Sequence, residues 1–429
     1  MRRRVGYPSL MVVPSLALAL TVSLTGLTGC SRSGHDSSRP HPATQPILRR
    51  SDQVLILASY DGTVSVRATT GAVVFRAPYG VAAPDSSTVV QAQPLTTGTR
   101  VVASDPLTGV PRWSHDIAGT RRVRVVSPGG RFVALVDGDL NVASQPRATT
   151  VVDVATATGT RELRLAGNLD PEAFSVDGRS LYAVDYLPAM NPTRYSVRRI
   201  DLRTGGVELV PDRDGSVRKP MPGYSSMQLM SPDGRQLYTF YASDEPIHDG
   251  GEAYHAWIHV LNLDKGWAHC LELDEKIGVA GSTNAGLAVS PDGSRLFVTD
   301  GISHAVVAID TATLKIVRTR FLPIVANTYQ PPLDATDGHT VFVGDQEGGF
   351  SAIDARTLAA GPVSISGSSG ISAMRIDASG DALYLLTRDG LLVVDRRGRV
   401  LDRWVAPGDA TSIDPSVSVP GRGAYRCAC

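Results

Sequence analysis

The segment Ile247 to Glu272, IHDGGEAYHAWIHVLNLDKGWAHCLE, holds four of the chain's nine histidines, His248, His255, His259 and His269, the last followed directly by Cys270. Imidazole and thiolate are the side chains that copper and zinc favour. In a strand, His255 and His259 point to one face, two alternations apart, so they form a candidate pair for a shared ion with Asp244 or Glu252. Their spacing matches no compact metal motif, and the same residues read equally as a polar surface. Beyond the N-terminal region the chain has three thiols, Cys270, Cys427 and Cys429. In an oxidising compartment two would pair, leaving one over. A bridge from Cys270 to the tail requires the chain end to reach the middle of the fold, which a ring of repeats disfavours; Cys427-Ala428-Cys429 alternatively holds a soft metal, exchanges disulfides, or is plain surface. The catalytic inventory is otherwise negative: there is no HExxH, GxSxG elbow, Gly-rich phosphate loop or CxxCH. No catalytic residue is assigned, and no cofactor is predicted apart from a metal at the histidine-rich segment.

Arg2, Arg3 and Arg4 precede an apolar stretch, Leu10 to Leu27, broken by Pro14 and small polar residues, which suits a signal peptide better than a membrane span. It ends in Leu27-Thr28-Gly29-Cys30, which resembles the bacterial lipobox. That resemblance implies acylation of Cys30 and cleavage before it, so 1–29 is a signal peptide and the protein is exported and lipid-anchored to the outer face of the cell membrane. Residues 30–46 carry Ser, Arg, His and Pro without apolar periodicity and read as a tether. Propeller repeats are expected over 47–426, followed by the Cys-containing tail 427–429.

Lys plus Arg balance Asp plus Glu at 42 each, so no net field draws the chain to nucleic acid. The 42 glycines and 28 prolines indicate many tight turns and short strands, an all-β composition.

One unit recurs through the chain. Ser127-Pro128-Gly129-Gly130, Ser175-Val176-Asp177-Gly178, Ser231-Pro232-Asp233-Gly234, Ser290-Pro291-Asp292-Gly293, Ala335-Thr336-Asp337-Gly338 and Asp377-Ala378-Ser379-Gly380 each separate two β-rich runs. Asp-Gly favours a tight hairpin with positive φ at both central residues. A third run then ends in Val/Ile-Asp and a turn, as in Ile309-Asp310-Thr311-Ala312-Thr313, and a more polar fourth run follows, suited to a blade's exposed edge. Ser290 to Thr319, SPDGSRLFVTDGISHAVVAIDTATLKIVRT, resembles the YVTN family of β-propeller repeats, and Val110-Pro111-Arg112-Trp113 resembles the repeats of quinoprotein propellers. Such repeats imply a single β-propeller of four-stranded blades and leave function open. Counting third strands gives eight blades, with seven the alternative, and Ala410 to Val419 is the candidate for completing the first blade.

Two units lengthen the loop between second and third strands, which in a propeller emerges on the same face as the connections between blades. The first carries Asp185, Tyr186, Asn191 and Tyr195; the second carries Asp244, Glu245, His248, Glu252 and Tyr254. They belong to consecutive blades and are expected to form one ligand- or partner-binding rim. The leading reading is a monomeric, membrane-tethered binding or scaffold module for an envelope protein, glycan or small ligand. Its alternatives are a lactonase-like or lyase-like propeller enzyme with polar residues converging on the centre, and a metal-handling protein.

Overall fold

The computed structural model describes residues 54–59, 62–67, 70–138, 145–217, 219–248, 253–279, 285–322, 333–344, 349–365, 370–377, 380–406, 410–413 and 424–425. All lie within the second of two compact units, Arg49–Cys429. Cys30, Glu252, Cys427 and Cys429 fall outside the described residues.

The described strands assemble into eight antiparallel sheets, each built from consecutive stretches of chain except that Ala410–Ile413 joins the first and Ala424–Tyr425 the fifth. They are the blades of a propeller: blade 1 (54–78), blade 2 (80–118), blade 3 (121–166), blade 4 (168–209), blade 5 (224–272), blade 6 (285–321), blade 7 (333–364) and blade 8 (371–404). Successive inner strands touch, Gly80–Ala82 against Arg121–Val126, then Asn168–Phe174; farther on, Tyr224–Met230 meets Ala285–Val289, then Leu333–Thr336, Ile371–Ile376 and Ala410–Ile413. Ala410–Ile413 is also the inner strand of blade 1, paired antiparallel with Val54–Ser59. The chain end thus closes the ring, with eight blades rather than seven.

Second and third strands are apolar on both faces because each blade is sandwiched between two others. Leu383, Leu385, Leu391 and Val393 of blade 8 are all at most 1% exposed, and each such side chain contributes about 1.5–3 kcal/mol of burial. Fourth strands alternate less and lie open; Lys315–Phe321 is exposed at nearly every position.

The recurring serine explains the repeat. In blade 6, Ser290 Oγ donates to Asp292 Oδ1 at 2.6 Å and accepts from Arg295 N at 2.9 Å, while Gly293 N donates to Ser290 O at 2.8 Å. Blades 4 and 5 repeat this through Ser175 and Ser231. In these Asp-Gly turns only the closing glycine has positive φ, +71° at Gly178 and Gly234, and the aspartate does not; in blade 3 both Gly129 and Gly130 have it. At the Asp-Gly turns of blades 4 to 6 the anticipated hairpin with two left-handed residues is therefore replaced by a turn that the serine side chain closes, leaving one left-handed position for glycine.

The chain end does reach the middle of the fold. Ala424–Tyr425 pairs with Gln228 and Leu229 on the free edge of blade 5's inner strand. An unpaired inner edge offers backbone donors and acceptors to any passing strand, and the ring did not keep the tail away.

Candidate functional site

Among the described residues, blades 4 and 5 carry the second-to-third-strand hairpins with the most paired residues. In blade 4, Ser180–Leu187 pairs with Arg194–Asp201 as far as Leu187 against Arg194. In blade 5, Gln236–Ile247 pairs with Tyr254–Asn262, with a register shift between Ala242 and Ile247. Much of the expected loop sequence is thus strand, and alternation turns half of it inward.

Tyr195 and Tyr254 are 3% and 7% exposed and belong to a buried cluster with Val184, Tyr241, Trp257 and Cys270. Tyr195 stacks on Tyr241 with centroids 4.4 Å apart, Tyr241 stacks on Trp257, and Tyr254 meets Trp257 edge-on. Trp257 Nε1 donates to the Tyr195 hydroxyl at 3.2 Å, satisfying both buried polar tips. Burial holds the Tyr195 phenol well above its ordinary pKa, with Cys270 adding to the effect. Asp185 is also buried and pairs with Arg198 at 2.8 Å. Tyr186 packs half-buried against the cluster, and Asn191, Asp244, Glu245 and His248 stay exposed. The hairpins are neighbours as expected, but Tyr195, Tyr254 and Asp185 are their foundation rather than their surface. The exposed tips rest on a rigid aromatic base.

The inner strands of blades 3 to 5 form a second polar group. In blades 1, 3, 4, 5 and 8 the inner strand has one more residue than its partner, at Thr411, Arg124, Glu172, Ser226 and Ser372. Such bulges re-aim side chains and recur beside functional sites. Arg124 makes a bidentate pair with Asp170, Nε to Oδ1 at 2.8 Å and Nη2 to Oδ2 at 2.6 Å. Gln228 Nε2 donates to Glu172 Oε1, while Glu172 Oε2 has no hydrogen-bond partner among the described residues. Burial, reinforced by Asp170, pushes the Glu172 carboxyl up to about 7, against the opposing pull of Arg124 and Gln228. Arg122 and Arg147 are lowered, first by burial; for Arg122 the neighbouring Arg124 adds to this. A carboxyl poised near neutrality can give or take a proton at physiological pH. Sequence reading missed this group; its one signal is the charge in Arg121-Arg122-Val123-Arg124 and Asp170-Pro171-Glu172, unexpected in strands bound for the centre.

The proposed pairing of His255 with His259 on one ion fails geometrically. Both face blade 4 as alternation requires, but four strand residues span about 13 Å, Trp257 lies between them, and His255 Nδ1 sits 3.2 Å from Ser243 O. No group of three His, Cys, Asp or Glu residues able to hold a metal occurs among the described residues. His269 is drawn elsewhere, to Asp212 at 3.0 Å.

The comparisons with known proteins agree with the architecture. Residues 51–208, blades 1 to 4, match the family model of the outer membrane protein assembly factor BamB. No curated protein matches the chain. Among solved structures, apo AztD from Citrobacter koseri is similar at a TM-score of 0.53 and 10% identity, over 84% of this chain and 96% of that one. A second Citrobacter koseri AztD structure gives 0.52 and 9%, with the same coverage. BamB from Moraxella catarrhalis aligns at 0.40 and 14%, over 79% and 94%. The AztD likenesses establish the class, a β-propeller, and nothing finer. Among the described residues no helix is long and apolar enough to cross a membrane.

Proposed function

We propose that this chain is a lipid-anchored, extracytoplasmic propeller that presents the blade 4 and 5 hairpins to a protein partner in the cell envelope. The observation that carries this reading is the exposed polar set Asn191, Asp244, Glu245 and His248 standing on a buried aromatic stack. A binding rim gains from such rigidity, because little ordering entropy remains to be lost on association. The match to an outer-membrane-protein assembly factor supports an envelope partner and an exported location, and the lipobox at Cys30 supplies the anchor.

The test is fractionation and affinity capture with three proteins: wild type, Cys30→Ala, and the triple variant Asp244→Lys, Glu245→Lys, His248→Ala. Cys30→Ala is expected in the soluble extracytoplasmic fraction, while the triple variant stays membrane-bound with an unchanged melting temperature and loses at least tenfold in capture of envelope protein. A membrane-bound Cys30→Ala protein removes the anchor from the proposal. Undiminished capture by the triple variant removes the rim.

A further inference from the structure

We propose that Cys270, Met221 and His259 form a binding site for one soft monovalent cation of the copper(I) class, built across the boundary between blades 4 and 5. Cys270 and His259 are directly opposite partners on the adjacent strands Trp267–Glu272 and Tyr254–Asn262, so their side chains share a face with Cβ atoms about 5 Å apart. Met221 comes from the connection leaving blade 4 and is clamped there by two backbone hydrogen bonds with Tyr195, each 2.8 Å. This clamp brings Met221 Sδ within 3.5 Å of Cys270 Sγ. All three side chains line one cavity of about 30 Å³, room for an ion or a water and too small for an organic ligand.

The donor set decides the class of ion. Thiolate and thioether sulfur with one imidazole select copper(I), whereas structural zinc takes four ligands from Cys and His. Asp212 and Lys219 line the same cavity, but Asp212 already engages His269. Cys270 and His259 are 7% and 4% exposed, and Met221 is half-buried, so the ion would be shielded from water on the blade side and reached past the thioether. The row across blade 5 continues inward from His259 to Thr239, which is 1% exposed and whose Oγ1 has no hydrogen-bond partner among the described residues, and then to Gln228. Binding forms a sulfur–metal bond and releases the Cys270 thiol proton to solvent, with no change of oxidation state.

The experiment uses the full chain with Cys30, Cys427 and Cys429 changed to Ser, so that Cys270 is the remaining thiol. Copper(I) is titrated anaerobically against a chromophoric chelator, with zinc(II) in parallel. One equivalent of copper(I) is expected to bind. Further change of Cys270→Ser abolishes it, and Met221→Leu, which conserves volume at a half-buried position, weakens it at least tenfold, as does His259→Phe. Three results each overturn the proposal: no copper(I) uptake beyond that of Cys270→Ser, binding by Met221→Leu as tight as with Met221 in place, or zinc(II) bound as tightly as copper(I). Circular dichroism of Met221→Leu confirms that lost binding is not lost folding.

Discussion

Glu172 is the residue whose environment departs furthest from its sequence. It sits on a strand bulge, nine-tenths buried, with one carboxylate oxygen held by Gln228 and the other without a hydrogen-bond partner. Folded protein keeps the proton on this carboxyl up to about pH 7, whereas the unfolded chain gives it up near 4.5. Between those values the folded state binds more protons, so stability falls as pH rises and levels off above about 7. The loss approaches about 3 kcal/mol at 1.4 kcal/mol per pH unit. Turn aspartates such as Asp201 and Asp354 act in the opposite sense. Hydrogen bonds from the turn lower them, so their contribution is present above the ordinary carboxylate range and is lost only in acid. Glu172→Gln is therefore expected to melt several degrees above wild type at pH 8 and with it at pH 4.5; a difference independent of pH contradicts the assignment. The His-rich segment was legible as a cluster of imidazole and thiol side chains, but their neighbours were not. Strand alternation says which residues share a face, and it does not reveal that Met221, from the connection leaving blade 4, lies against Cys270.

At the scale of elements, turns were the most legible feature because their chemistry is local. The Ser-x-Asp-Gly units place one hydroxyl, one carboxylate and one left-handed glycine within four residues, and the structure uses all three. The hairpin tips were legible as insertions, but their inward half was not, since pairing continues to Leu187 and Ile247 and buries the aromatics. Bulges were invisible in sequence because one extra residue changes register without changing composition. Gly223 shows how tightly the blade 4 connection crosses blade 5. Its φ is +92°, and a Cβ would lie 2.5 Å from Ala242 O and 2.7 Å from the Trp257 ring. Gly215 has a similar φ of +86° with nothing within 4 Å. Gly215→Ala should cost about 1 kcal/mol from backbone conformation alone. Gly223→Ala should cost at least about twice that in urea denaturation, because backbone and an indole ring must also move. Equal losses would mean that the connection packs loosely over the stack.

For the molecule as a whole, the eight-blade ring was legible from repeat counting, including a first blade that lacks its own inner strand. Closure by Ala410–Ile413 makes the two ends of the propeller one cooperative unit. The opposite face carries the Ser-x-Asp-Gly and Ile-Asp turns, whose polar groups are already spent on their own backbones. The face with the blade 4 and 5 hairpins instead carries exposed polar side chains on a buried aromatic base, and the partner is proposed to dock there. The direct measurement is photo-crosslinking in intact cells, with a benzophenone amino acid placed singly at Asn191, at His248, and at Arg203 and Arg356 on the opposite face. A discrete crosslinked envelope protein is expected from Asn191 and His248 and none from Arg203 or Arg356. Crosslinks confined to Arg203 or Arg356 would contradict this placement and move the binding surface to the other side of the ring.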